Sequence, residues 1–197
     1  MELENFIPPE RWSTDGFVIR SYYPGDGALL AEAVNSSYEH LKTFMLWAKP
    51  HQSVEASERV VRRARARYLQ NEDFMLAIFN PNESRLVGGS GLHLREGPLK
   101  NRSAEIGMWI RADAAGQGLG TSVLLALSEW AFTQWPFERL AWRCDGRNVA
   151  SQRTAEKAGF QREGILRAYR RLESGARADM YCYALLRDEW RGGAQYE

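Results

Sequence analysis

"AEIGMWIRADAAGQGLGTSV", residues 104–123, changes character twice. Its first half belongs to "SAEIGMWIR" (103–111), where apolar and aromatic residues read as a strand. "AAGQGLG" (114–120) then places three glycines in a row of alternating positions. An apolar helix follows over 119–134, with Val123, Leu127 and Trp130 on one side and Leu124 and Ala131 on an adjoining one. The first turn of such a helix carries unpaired N–H groups and a partial positive charge. Glycines let those N–H groups converge and let a ligand approach without a Cβ in the way. The stretch therefore reads as a phosphate cradle made by Gly116, Gln117, Gly118 and Gly120, with Thr121 and Ser122 adding hydroxyls. Its GxGxG spacing is neither the GxGxxG of dinucleotide folds nor the GK[ST] of a Walker loop. On glycine content alone, a ligand-free strand-to-helix turn stands equally open.

Outward from the loop, the chain alternates between the two periodicities. "GFVIRSY" (16–22) is a strand, and residues 26–46 read as a helix with Asp26 as its cap. Residues 53–70 form a second helix whose Val60, Val61, Ala64 and Tyr68 share a face. Its arginine run "RVVRRARARY" (59–68) is the solvated face, paired in part with Glu55 and Glu58. "DFMLAIF" (73–79) and "RLVGGSGLHLR" (85–95) join 103–111 in a meander. Beyond the glycine loop come a strand at 139–144 and a short helix at 148–158 ended by Gly159. Two closing strands then turn at "SG" (174–175). One helix separates 103–111 from 139–144, which suits a parallel crossover. The expected fold is α/β (α+β): a single mixed, mainly antiparallel twisted sheet of about seven strands flanked by about four helices. One domain spans 1–197, with a short loose tail at 191–197.

Composition limits the functions available. Net charge is only +1, which argues against a nucleic-acid binder. The longest purely apolar run, "VLLAL", is too short to span a membrane, and "MELENF" carries no signal region. Cys144 and Cys182 form no CxxC pair and read as free thiols of a cytoplasmic protein. His40, His51 and His93 lack ligand spacing, so no metal is expected.

Residues 104–123, together with "DGRNVASQRTAEKAGFQREG" (145–164), resemble the two consecutive cofactor motifs of the GNAT N-acetyltransferase superfamily. The "AEIG" strand and the "NxxS" helix start are most similar to the ribosomal-protein-alanine/serine N-acetyltransferase (Rim-type) branch. This resemblance implies the GNAT fold, acetyl-CoA as donor, coenzyme A as product, and direct transfer of acetyl to a primary amine. It assigns the backbone of Met108, Trp109 and Ile110 to the pantetheine arm, the N–H near Ile110 facing the thioester oxygen. Ala115, Gly116, Gln117, Gly118, Leu119, Gly120, Thr121 and Ser122 go to the pyrophosphate, and Asn148 to the pantetheine. Ser151 is placed near the sulfur, where it stabilises or protonates the leaving thiolate. Read as residues alone, Asn148 is also a plain helix N-cap and Ser151 a first-turn serine.

Three positions depart from that pattern. Ala115 stands where the family cradle usually starts with Gln or Arg, Ala155 where some relatives carry a Tyr acid, and Arg170 where the Rim-type base is a Glu. An ammonium has no lone pair, so a proton acceptor is required, and Glu105 followed by Glu163 are the candidates. A charge in a structural ion pair is the competing reading of Glu105. In the family the acceptor site lies under the segment joining the first two helices, here "FMLWAKPHQS", which nominates Trp47 and His51. The residues alone favour Trp47 as packing in the helix hairpin. The acceptor expected is a protein N-terminal α-amine of the ribosomal-protein type. The alternatives are a small-molecule amine, or an acyl-CoA-binding module without turnover, which Ala115 and Arg170 suggest. A homodimer through a sheet edge is a further expectation.

Overall fold

The computed structural model describes residue 3 and residues 5–190; the tail expected at 191–197 lies outside the described residues. Two short strands, β1 (Arg11–Ser13) and β2 (Val18–Ser21), precede three helices, α1 (Gly27–Ser36), α2 (Tyr38–Leu41) and α3 (Val54–Leu69). The meander β3 (Phe74–Phe79), β4 (Leu86–His93) and β5 (Ser103–Ile110) follows. Helix α4 (Leu119–Thr133) leads to β6 (Arg139–Asp145), and α5 (Val149–Lys157) to the hairpin β7 (Gln161–Arg171) and β8 (Arg177–Leu186). All eight strands form one sheet in the order β1-β2-β3-β4-β5-β6-β8-β7. Every neighbouring pair is antiparallel except β5–β6.

The sequence reading is thus one strand and one helix short. Strand β1 is three residues long, too few for a period to show. The extra helix comes from a break in the expected 26–46 helix. Ser37 leaves helical geometry at φ −112° and ψ 6°, and its buried hydroxyl accepts the Ala112 N–H at 3.1 Å. The chain then makes only one more helical turn, to Leu41. Asp26 does occupy the N-cap position of α1, but its carboxylate bonds Arg20 and the Tyr23 N–H instead of the helix. The N–H groups of exposed Gly25 and buried Gly27 turn to the Glu58 carboxylate of α3, at 3.0 and 3.1 Å. Helix α3 is capped by Ser53, whose Oγ accepts the Ala56 N–H.

Alternate residues of a strand point to opposite faces, and β3 shows it. Leu76 and Ile78 enter the larger core, whose centre is the aromatic set Tyr68, Phe74, Trp130, Trp135 and Phe137. Ala77 and Phe79 enter a second core beneath α1 and α3, with Leu30, Val34, Val61 and Leu86. The larger core also takes Val123, Leu127 and Ala131 of α4 and Ala155 of α5. The sheet is covered on both sides by this arrangement. It is open at one place: β5 and β6 pair only from Ser103–Arg139 to Ile106–Trp142. Beyond that, β5 stays with β4 through Ile110, and β6 stays with β8 through Asp145.

Candidate active site where two parallel strands part

The gap between β5 and β6 is a cavity of about 410 Å³. Because the β5–β6 ladder stops at Ile106, the edge of residues 107–110 that faces β6 has no strand partner there. Met108, Trp109 and Ile110 line one wall, and Trp142 with Asn148, Ala150 and Ser151 the other. An extended ligand can take the vacant ladder positions as a strand would.

The glycine loop closes one end. Gly116 and Gly118 have φ of +76° and +87°, in the left-handed region that disfavours a side chain. A Cβ built on either would meet nothing within 4 Å, so the backbone lies bare toward open space. Gly118 is the N-cap residue of α4, and no side chain caps that helix. Ala115, Gly116, Gly118, Gly120 and Thr121 line the cavity. Gln117, Leu119 and Ser122 do not share that lining. The Gln117 amide donates to the Asp113 carbonyl, Leu119 packs on the larger core, and Ser122 Oγ bonds back to the Gly118 carbonyl.

At the opposite wall, Asn148 caps α5, its Oδ1 accepting the Ser151 N–H at 3.1 Å. Ser151 Oγ accepts from Trp142 Nε1 at 3.1 Å. It also bonds the buried Cys144 thiol, whose pKa burial pushes up. These bonds fix the hydroxyl of Ser151 at the cavity wall.

The acceptor candidates fall unevenly. Trp47 is about half exposed and meets Trp109 edge to face, at 5.8 Å between centroids. It therefore stands beside the cavity and outside both cores. His51 is exposed, at a φ of +56°. The sequence reading missed His40, Leu41 and Met45, which join Phe44 in the lining from α2 and the turn after it. It also missed Arg153 and Lys157 on α5. Their i,i+4 spacing on a helix opened by Asn148 was the available signal.

The carboxylates lie elsewhere. Glu105 is buried on β5, ion-paired with Arg95 and Arg143, and is not in the cavity lining. Glu163 is held by both nitrogens of Arg139, at 2.7 and 2.6 Å, and that bond lowers its pKa. Arg170 donates to Asp145 at 2.6 Å. The Arg147 guanidinium, with Arg170 behind it, holds Asp145 down at about 2.

Comparison with known proteins bears on the family and the fold. The family model described as "Acetyltransferase (GNAT) domain" matches residues 17–161. A Bacillus subtilis (strain 168) protein described as "Putative ribosomal N-acetyltransferase YdaF" is 28% identical over 175 residues, covering 88% of this chain and 93% of that one. Among solved structures, RimL, a ribosomal L7/L12 alpha-N-protein acetyltransferase in complex with coenzyme A, superposes with a TM-score of 0.79 at 22% identity. That match covers 90% of this chain and 97% of RimL. The ribosomal-protein-S5-alanine acetyltransferase from Vibrio fischeri has a TM-score of 0.80 at 17% identity, over 93% of this chain and 100% of its own. Both likenesses are of fold.

Proposed function

The chain belongs to the GNAT acetyltransferase family, and from that we propose that it transfers acetyl from acetyl-CoA to a protein N-terminal α-amine in the cytoplasm. The observation that carries this reading is the parting of β5 and β6 beside a bare glycine loop, with Ser151 at the same cavity. The residues present suit the donor. Among the lining side chains, His40, Arg153 and Lys157 are basic and none is acidic, which favours a polyanion. Arg153 and Lys157 offer the positive charge that Ala115 does not. When bound, acetyl-CoA supplies an acyl group activated as a thioester.

The chain's own residues then have separable tasks. The open edge of Met108–Ile110 would pair with the pantetheine amides, and a backbone N–H there would face the acyl oxygen. Gly116, Gly118 and the first turn of α4 would hold the pyrophosphate. Ser151 has its hydroxyl fixed by Trp142, so it can donate a proton toward the departing sulfur. Trp47 and Phe44 offer an apolar rim to the residues that follow the acceptor amine. The choice of a protein N-terminus over a small amine is supported by the likeness to YdaF, named as a ribosomal N-acetyltransferase.

Calorimetric titration with acetyl-CoA tests the donor site, on the wild type and on Gly118→Trp, with circular dichroism to confirm both folds. Binding by the wild type and its loss in a folded variant are expected. Thiol release with alanine- and serine-starting peptides should exceed release with polyamines and free amino acids; the reverse order moves the acceptor to small amines.

A further inference from the structure

The two carboxylates nominated as proton acceptors, Glu105 and Glu163, are committed to arginines, and so is Asp145 nearby. Glu105 lies between Arg95 and Arg143, Glu163 is clasped by Arg139, and Asp145 is held by Arg147 and Arg170. A carboxylate in such a pair is a weak base. One imidazole on the same sheet is arranged differently. His93 Nδ1 lies 2.7 Å from Asp73 Oδ1, with the two side chains 16% and 13% exposed. Burial pushes the Asp73 pKa up, but the His93 hydrogen bond and the charges around it bring it below the ordinary value. An ionised carboxylate only accepts, so in the neutral ring Nδ1 carries the proton and Nε2 the lone pair. Nε2 has no hydrogen bond among the described residues and is not among the sealed polar atoms.

The strands aim that lone pair along a floor without side chains. The register sets His93 opposite Glu105, Gly91 opposite Gly107, and Gly89 opposite Trp109. A Cβ at Gly91 would come within 2.6 Å of His93 Nε2, and one at Gly107 within 3.2 Å. The ring therefore lies over both glycines, displaced from its own position toward Trp109, which lines the cavity. From Gly107 to Trp109 is two residues of strand, about 7 Å. That distance suits a relay of one or two waters.

We infer that His93, oriented by Asp73, takes the proton from the acceptor ammonium before attack; the inference rests on the acetyltransferase reading above. The proton leaves the amine nitrogen, crosses the glycine floor through water, and adds to Nε2. The imidazolium is stabilised by the Asp73 carboxylate and returns the proton to solvent before the next turnover. No electrons change owner. The charged groups facing His93 are Asp73 ahead of β3, Glu105 on β5 and Arg95 after β4. Behind them stand Arg67 of α3, 3.4 Å from Asp73, and Arg143 of β6 on Glu105.

The test is the pH profile of kcat/KM for wild type, His93→Gln and Gly107→Ala. Gln keeps a donor for Asp73, and the added methyl of Gly107→Ala shifts the ring without removing it. An alanine-starting peptide serves as the basic amine, and hydroxylamine as an amine already neutral at pH 7. With the peptide, His93→Gln should lose the acidic limb of the profile and about 10²-fold in kcat/KM. Gly107→Ala should show a smaller loss of the same form. With hydroxylamine, His93→Gln should lose less than about 3-fold, since no proton needs removing before attack. Calorimetric affinity for coenzyme A should be unchanged in both variants. The inference is overturned if His93→Gln keeps its acidic limb, if both amines suffer equally, or if His40→Gln removes the limb instead. A wild type that binds coenzyme A yet acetylates no amine overturns the acetyltransferase reading and this inference with it.

Discussion

Asp145 ends β6 with a carboxylate that is almost wholly buried and gripped by two guanidinium groups. Hydrogen bonding from Arg147 is the main reason its pKa sits at about 2, below the ordinary aspartate value. A carboxyl lowered by folding stabilises the fold above its unfolded pKa and loses that contribution as pH falls through the folded one. The loss should run from about pH 4 to pH 2 and amount to about 2 kcal/mol. Asp145→Asn is therefore expected to unfold more easily than wild type at pH 7, with the two urea midpoints converging at the acid end. Equal midpoints at pH 7 would mean that the pair contributes nothing net. At this same residue the Rim-type resemblance meets its largest departure. Where the resemblance implied a Glu, Arg170 reaches back to Asp145 instead.

Elements with long, regular patterns were legible before the structure. The meander, the parallel crossover and the Asn148 cap of α5 all follow from period, cap chemistry and turn residues. What could not be read depended on partners distant in sequence. The helix break at Ser37 is decided by an N–H 75 residues away. The cap on α1 comes from Glu58, a residue on another helix. Within the site, the two glycines at positive φ and the Asn148–Ser151 turn were readable because they are local. The commitment of Glu105 to Arg95 and Arg143 was not, because it is set by strand pairing. Ser37→Ala tests the helix break directly. It removes the partly buried hydrogen bond to the Ala112 N–H and should cost about 1 kcal/mol in denaturant unfolding. The same change loosens the stretch that enters the glycine loop, so coenzyme A affinity should fall with stability; an affinity unchanged at lower stability would uncouple the two.

At the scale of the whole molecule, one sheet carries two cores on opposite faces, and the cavity lies where its continuity is weakest. Strands β1 to β5 and strands β6 to β8 are joined by four register pairs, Ser103–Arg139 to Ile106–Trp142, and by the α4 crossover. No helix among the described residues is long and apolar enough to cross a membrane. The short β5–β6 ladder has a mechanical consequence: it is a seam, and a molecule seated in it works as a rivet. Amides of residues 107–110 and 148–151 belong to opposite sides of that seam and should exchange with deuterium faster than those of β3 or β4. Coenzyme A should slow both groups together and raise the melting temperature with concentration, as mass action requires. Slowing on one side alone would mean that the ligand rests on the edge of the seam without fastening it.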